Sequence, residues 1–307
     1  MRRQLTIVIT SIFFLVFFAS NATADWEAHG DFSEERIGGT PKGNHKLDCT
    51  VIRPWLEEGL PESVYPVIGW ANGWGGNEVA GKNEIEGYKP GLIDWAVDGP
   101  FIVIAANQWS ARERDVLQCV AWLIEQNSVE ESEYYGHVNT ERIGLSGHSQ
   151  GGGAVLRAGD GTPKGVGLDL DIPVTTVIAM NPYGPSWNEV NPKEPVLIVG
   201  GMLDTTTSPG SYEEAWQQIL TNQSGGVNAT EIDGTHNNNA WVPADDYNNP
   251  QDYNFGNYQA LTTLWWKIHL NGESYDDFCY ELACGNGNWA ISDYSNLECS
   301  WPPTCTP

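Results

Sequence analysis

The sequence predicts an α/β fold: a mostly parallel central sheet with helices on both faces. Three observations carry that expectation. Short apolar runs recur at 64–71, 101–106, 142–146, 174–180 and 196–200, punctuated by Gly, Pro and Asn. Amphipathic stretches long enough for helices fall between these runs, as strands joined by helical crossovers require. The chain has 307 residues, 40% of them apolar, and no internal repeat or low-complexity block, so it can bury one large core.

In chain order, the first element is a leader. Arg2 and Arg3 precede an apolar run over 5–19, and Ala22-Thr23-Ala24 stands just before Asp25. That is the three-part pattern of a secretory signal peptide over residues 1–24, with 25–307 expected as a single domain. The apolar run is shorter than the roughly 20 residues a spanning helix needs, and no basic stop-transfer cluster follows, so no stable membrane anchor is expected. Strands are predicted over 45–53, 64–71, 101–106, 142–146, 174–180, 196–200 and 227–232, and helices over 111–126, 150–158, 212–221 and 257–270. In the last helix Leu261, Leu264, Trp265 and Ile268 fall at helical spacing and form a core-facing stripe.

Charge and cysteine content exclude some classes of function. The 15 basic and 40 acidic side chains give a formal charge of −25, which becomes −27 when Arg2 and Arg3 leave with the leader. Such a surface repels nucleic acid and anionic membranes. Its acids are scattered (Glu34-Glu35, Glu130-Glu131, Asp245-Asp246, Asp276-Asp277), as on a solvated acidic face and not a charged tail. The six cysteines, Cys49, Cys119, Cys279, Cys284, Cys299 and Cys305, read as three disulfides in an exported chain. A zinc site is the rival reading, but Cys279 and Cys284 have no matching His or Cys pair at ligand spacing, so no metal is expected.

The chemistry is concentrated in Arg142-Ile-Gly-Leu-Ser-Gly147-His148-Ser149-Gln150-Gly151-Gly152-Gly153. Here Gly-x-Ser-x-Gly lies between an aliphatic strand and a small-residue helix, the context of a nucleophile elbow and hence of an α/β-hydrolase fold. A serine at so tight a turn needs neighbours almost free of side chain, which Gly147 and Gly151 provide. The turn lifts the Ser149 hydroxyl to the carboxyl edge of the sheet, and the Gln150 N–H at the helix start can meet a developing oxyanion. A serine hydroxyl needs a base, and the base an orienting acid, in the chain order Ser, Asp, His. Asp204 ends the loop leaving the strand at 196–200, whereas Asp233 lies too close to the histidine's own loop. His236 follows the last predicted strand; His269 sits inside the apolar final helix, where a structural role is expected. A second oxyanion donor is expected from the Trp74 N–H in Asn72-Gly73-Trp74-Gly75-Gly76, with the Trp74 ring as a pocket wall.

With these residues in place, the chain resembles the cutinase-like polyester hydrolases, the group containing bacterial poly(ethylene terephthalate) hydrolases. The likeness spans 49–299 and includes Gly99-Pro-Phe-Ile-Val-Ile-Ala-Ala-Asn107, the block around Ser149, and Ile291-Ser-Asp-Tyr-Ser-Asn-Leu-Glu-Cys299-Ser. The resemblance implies a Cys284–Cys299 disulfide and places Tyr183 where the family carries an aromatic, usually Trp, that packs on substrate. Gln150 stands where the best-known members have Met, and Trp74 where they have Tyr or Phe. Four further cysteines are present, expected as Cys49 with Cys119 and Cys279 with Cys305.

About 15 residues separate the strands at 174–180 and 196–200, too few for a large cap domain, so an open cleft rimmed by Trp74, Tyr183 and Trp187 is expected. The expected activity is ester hydrolysis through an acyl-enzyme on Ser149, by a monomer without metal or organic cofactor, on a polyester, cutin-like or other bulky ester. Its rate should fall on acidification as the base takes up a proton. The rival readings are an acetyl- or feruloyl-xylan esterase, a lipid esterase, and a non-catalytic glycan or polymer binder.

Overall fold

The computed structural model describes residues 25–29, 32–40, 47–54, 63–73, 85, 87–108, 111–161, 171–184, 187, 190, 192–221, 226–231, 234–236, 257–273 and 294–299. They contain ten strands, β1 (Asp25–His29), β2 (Phe32–Thr40), β3 (Leu47–Pro54), β4 (Tyr65–Ala71), β5 (Ile102–Ala106), β6 (Val138–His148), β7 (Val174–Met180), β8 (Val196–Gly201), β9 (Gly226–Glu231) and β10 (Tyr294–Cys299). Five helices join them: α1 (Lys89–Asp98), α2 (Glu113–Gln126), α3 (Gln150–Ala158), α4 (Pro209–Thr221) and α5 (Asn257–Asn271).

The strands form one sheet in the order β1-β2-β3-β5-β4-β6-β7-β8-β9-β10. From β5 to β9 all pairs are parallel, while β1 to β3 extend one edge and β10 the other by antiparallel pairing. The expected α/β-hydrolase fold is therefore present. Antiparallel β1, β2 and β10, and the helix α1, are additions to the sequence reading. Among the described residues no helix is long and apolar enough to cross a membrane.

Strand alternation divides the interior into two cores. Ile102, Ile104 and Ala106 of β5, with Val196 and Ile198 of β8, join the core under α2, α3 and α4. Their neighbours Val103, Ala105, Leu197 and Val199 join the second core, under α1 and α5. A side-chain period of two places successive residues on opposite faces, so a fully buried strand reads as a continuous apolar run. The α5 stripe is inward as expected, with Leu261, Trp265 and Ile268 buried. Two glycines permit close approach of helix to sheet. A Cβ on Gly69 would meet Val120 and Val116 of α2 at 2.8 and 3.0 Å, and one on Gly144 would stand 2.4 Å from the Trp266 ring of α5.

Cys49 of β3 and Cys119 of α2 form a buried disulfide that closes a separation of 70 residues. Loop-closure entropy gives such a link about 4 kcal/mol of stabilisation. Glu35, expected on the solvated acidic face, is instead buried on β2, where the Tyr134 hydroxyl donates to its carboxyl. Burial raises the Glu35 carboxyl above its ordinary range against the lowering effect of that hydrogen bond.

The connections place every candidate site loop at one end. From β4 the chain moves through α1 to β5, then returns through α2 to β6 on the far side of β4, with α1 and α2 on opposite faces. This reversal opens a crevice between the carboxyl ends of β4 and β6, the position where ligands meet such sheets. Gly73, Ser149, Asn181, Asp204 and His236 follow β4, β6, β7, β8 and β9 respectively.

Candidate active site

The nucleophile elbow is a feature of backbone geometry. Ser149 adopts φ 53° and ψ −120°, between the last residue of β6 and the first of α3. This conformation is costly for a residue with a Cβ, and it persists because the surroundings fix it. The Ser149 N–H donates to the Met180 carbonyl at 2.9 Å, and its own carbonyl accepts from Gly153 and Tyr183 at 3.0 and 2.8 Å. Flanking glycines are obligatory on steric grounds: a Cβ on Gly151 would lie 2.0 Å from the Ala71 carbonyl oxygen, and one on Gly147 2.6 Å from the Gly151 backbone. Gln150 begins α3, so its N–H belongs to the first turn, where amides have no intrahelical partner and the helix dipole favours negative charge.

Three side chains remote in sequence meet at this point. Ser149 Oγ lies 2.9 Å from His236 Nε2, and His236 Nδ1 lies 2.8 Å from Asp204 Oδ2. The carboxylate accepts only, so Nδ1 carries the proton and Nε2 accepts from the serine hydroxyl. Burial would raise the Asp204 carboxyl, but donors from His236, the Thr207 hydroxyl, Tyr212 and the Thr207 amide outweigh it and hold the group below the usual carboxylate range. The acid thus stays ionised beside the imidazole. Chemically, the arrangement can pass a proton from a hydroxyl to a ring and stabilise the resulting imidazolium.

A second histidine supports the first. His148 is buried, with Nε2 2.7 Å from the His236 carbonyl oxygen and Nδ1 3.0 Å from the Tyr88 hydroxyl. The carbonyl makes Nε2 the donor, so Nδ1 accepts from Tyr88. Burial, reinforced by the nearby His236, pushes His148 down to about 3, which keeps its ring neutral for this exchange. Tyr88 Oη in turn accepts from the Gly73 N–H at 3.4 Å. A continuous chain of hydrogen bonds thereby joins the β4 turn to the loop of His236. The turn itself is pinned by Asn72, which accepts from Trp70 Nε1 at 2.8 Å and donates to the Ala106 carbonyl at 3.1 Å. It passes close to the nucleophile, because a Cβ on Gly73 would be 3.1 Å from that of Ser149.

The remaining sequence candidates divide. Trp74 lies outside the described residues, as do Cys279, Cys284 and Cys305, so the pairings Cys284–Cys299 and Cys279–Cys305 fall there too. Tyr183 is 48% exposed, beside the elbow. Trp187 requires a correction: expected at the cleft rim, it is only 7% exposed and packs into the core beneath α3 and α4. Gly184 leaves the space for its indole, since a Cβ there would stand 3.0 Å from the ring. His269 is packed against Trp265 with ring centroids 4.2 Å apart, and burial pushes it down to about 4. Sequence reasoning missed Tyr88, His148, Asn181, Thr207 and Tyr212. Only His148 carried a local signal, lying inside the elbow motif; the others converge through the fold.

Residues 100–241 match the sequence model of a family described as PET hydrolase-like. A curated relative, the bis(hydroxyethyl) terephthalate hydrolase of Streptomyces coelicolor, is 32% identical over 116 residues, 37% of this chain and 32% of the relative. Over residues 100–241 the chain is similar to the PET hydrolase-like family. The alignment with that relative spans about a third of the relative's length. The family match contains Ser149, Asp204 and His236 and is shorter than the 49–299 span of the sequence resemblance.

Proposed function

We propose that this chain is a serine hydrolase of carboxylic esters, exported after loss of residues 1–24, and that its substrates are bulky or polymeric esters. The reading is carried by the hydrogen-bonded line from Ser149 Oγ through His236 to Asp204, at 2.9 and 2.8 Å. Similarity to the PET hydrolase-like family over residues 100–241 supports the ester class, and the buried Cys49–Cys119 disulfide supports an oxidising destination.

In the mechanism, Ser149 Oγ bonds to the ester carbonyl carbon as His236 Nε2 takes the hydroxyl proton. The negative charge moves to the carbonyl oxygen, where the Gln150 N–H at the start of α3 receives it. The Trp74 N–H is the second donor on the sequence reading. Collapse breaks the bond to the alcohol, which leaves with the proton from His236. Water then attacks the acyl-enzyme with His236 again as base, releasing acid and free Ser149. Tyr183, 48% exposed, supplies an aromatic wall, and Met202 and Leu203, 48% and 56% exposed, extend the apolar surface beside Asp204.

The test has two arms. A fluorophosphonate probe should label the wild-type chain at Ser149, and a chain left unlabelled would be a binder and not an esterase. Product release from a polyester film should then exceed release from acetylated xylan relative to short p-nitrophenyl esters. The reverse ranking would assign the site to a carbohydrate esterase.

A further inference from the structure

The Asp204 carboxylate has more donors than it can serve. Its Oδ1 accepts the Thr206 and Thr207 amides at 2.8 and 2.7 Å. Its Oδ2 faces four donors: His236 Nδ1 at 2.8 Å, Thr207 Oγ1 at 2.6 Å, Asn181 Nδ2 at 3.0 Å, and the Tyr212 hydroxyl. A carboxylate offers about four lone-pair sites over both oxygens, so these donors compete on Oδ2. An acid that only had to orient the ring would need the ring and one anchor.

The competing groups are built in with some care. Asn181 is one of two non-glycine residues with positive φ among the described residues, at 43°, a conformation asparagine tolerates better than most. That backbone aims its amide at Asp204 and at the Thr235 carbonyl 3.4 Å away, both acceptors, which fixes the amide nitrogen on this side. Asn181 also donates to Tyr212 Oη at 3.1 Å, so the phenol is polarised toward Oδ2. The Tyr212 ring is wedged against β8, where a Cβ on Gly200 would stand 2.1 Å from it. Asn181, Thr207 and Tyr212 are all buried.

We infer that Tyr212 and Asn181 are positioning residues that share Asp204 Oδ2 with His236 and thereby set how strongly the acid supports the base. The inference rests on the esterase reading of Ser149, His236 and Asp204. Charge drawn to the phenol and the amide is unavailable to the imidazolium that forms as Ser149 attacks. Removing a competitor returns it, making the ring hold its proton more tightly. Among the described residues, the titratable groups facing His236 are Asp204 from the turn after β8, His148 from the end of β6 at a ring separation of 4.8 Å, and Tyr212 from α4, with Tyr88 behind His148.

The experiment is the pH profile of kcat/KM for a soluble p-nitrophenyl ester. In Tyr212→Phe, which keeps the ring against Gly200, the acid limb should move to higher pH by about half a unit, roughly a threefold change in proton affinity. Asn181→Gly, which keeps the backbone conformation, should move it the same way by less. KM should stay near wild type. Thermal unfolding establishes that each variant is folded, and Asn181→Gly decides the matter where Tyr212→Phe is not. Nitrogen NMR of the His236 ring follows the same change without turnover. An unmoved or lowered limb in a folded, active variant overturns the inference alone; failure of fluorophosphonate to label the wild type overturns the esterase reading.

Discussion

The two halves of the candidate site are made in different ways. On the Ser149 side, position is enforced by backbone: a strained serine, glycines at 147 and 151 with no space for a Cβ, and a helix start. On the Asp204 side it is enforced by side chains from separate segments, with Asn181, Thr207 and Tyr212 converging on one carboxylate. The first half is contiguous in sequence and leaves no room for a side chain at 147 or 151. The second is dispersed and can be adjusted one hydrogen bond at a time. The candidate site thus fixes Ser149 rigidly and leaves the Asp204 end open to adjustment.

Variants can break or sharpen that contrast. Ser149→Ala should lower kcat by about a millionfold while leaving the unfolding midpoint near wild type, measured by ester turnover and calorimetry. Asp204→Asn should cost about ten-thousandfold in kcat, because the amide can hold His236 in the wrong tautomer. A loss no greater than that of Tyr212→Phe would show that the acid pocket is not organised around Asp204. Gly151→Ala should act through folding, destabilising by about 3 kcal/mol in urea titration, since the new methyl would collide with the β4 backbone.

The smallest expected effect concerns acid stability. His148 is held down to about 3 in the fold, whereas an unfolded histidine titrates near 6.5. Between those values the unfolded chain binds the extra proton, so this contribution is complete above about pH 6.5 and is lost as pH falls toward 3. At pH 5 the loss from His148 is about 2 kcal/mol. His269, pushed down to about 4, acts in the same direction, while Asp204, held below the usual carboxylate range, matters only in stronger acid. Urea unfolding at pH 7 and pH 5 should therefore give a shallower difference for His148→Asn than for wild type; equal differences would contradict the buried neutral role.

What the sequence made legible follows the same division. The strand, serine turn and helix around Ser149 could be read because their determinants are adjacent. The central strands were equally plain, since strands buried on both faces spell continuous apolar runs. Helix α1 escaped notice because Pro90 and Gly91 open it and only Leu92, Trp95 and Ala96 mark its buried face. Strand β6 begins at Val138, earlier than 142, because its first residues include exposed polar ones that read as loop. β1 and β2 are rich in charge, and nothing local tells that Glu35 turns inward to Tyr134. Trp187 was misread for a related reason: an aromatic in a loop looks like a rim residue until its packing against Gly184 is seen.

The line of hydrogen bonds from Gly73 through Tyr88 and His148 to the carbonyl of His236 has a practical consequence for anyone reshaping the cleft. Alterations at these four stations will not add up independently, because each moves the anchor of the next. A library that randomises the β4 turn alone will sample shapes the loop of His236 cannot follow. Paired changes at Tyr88 and His148 give the search a route in which both sides of the crevice move together.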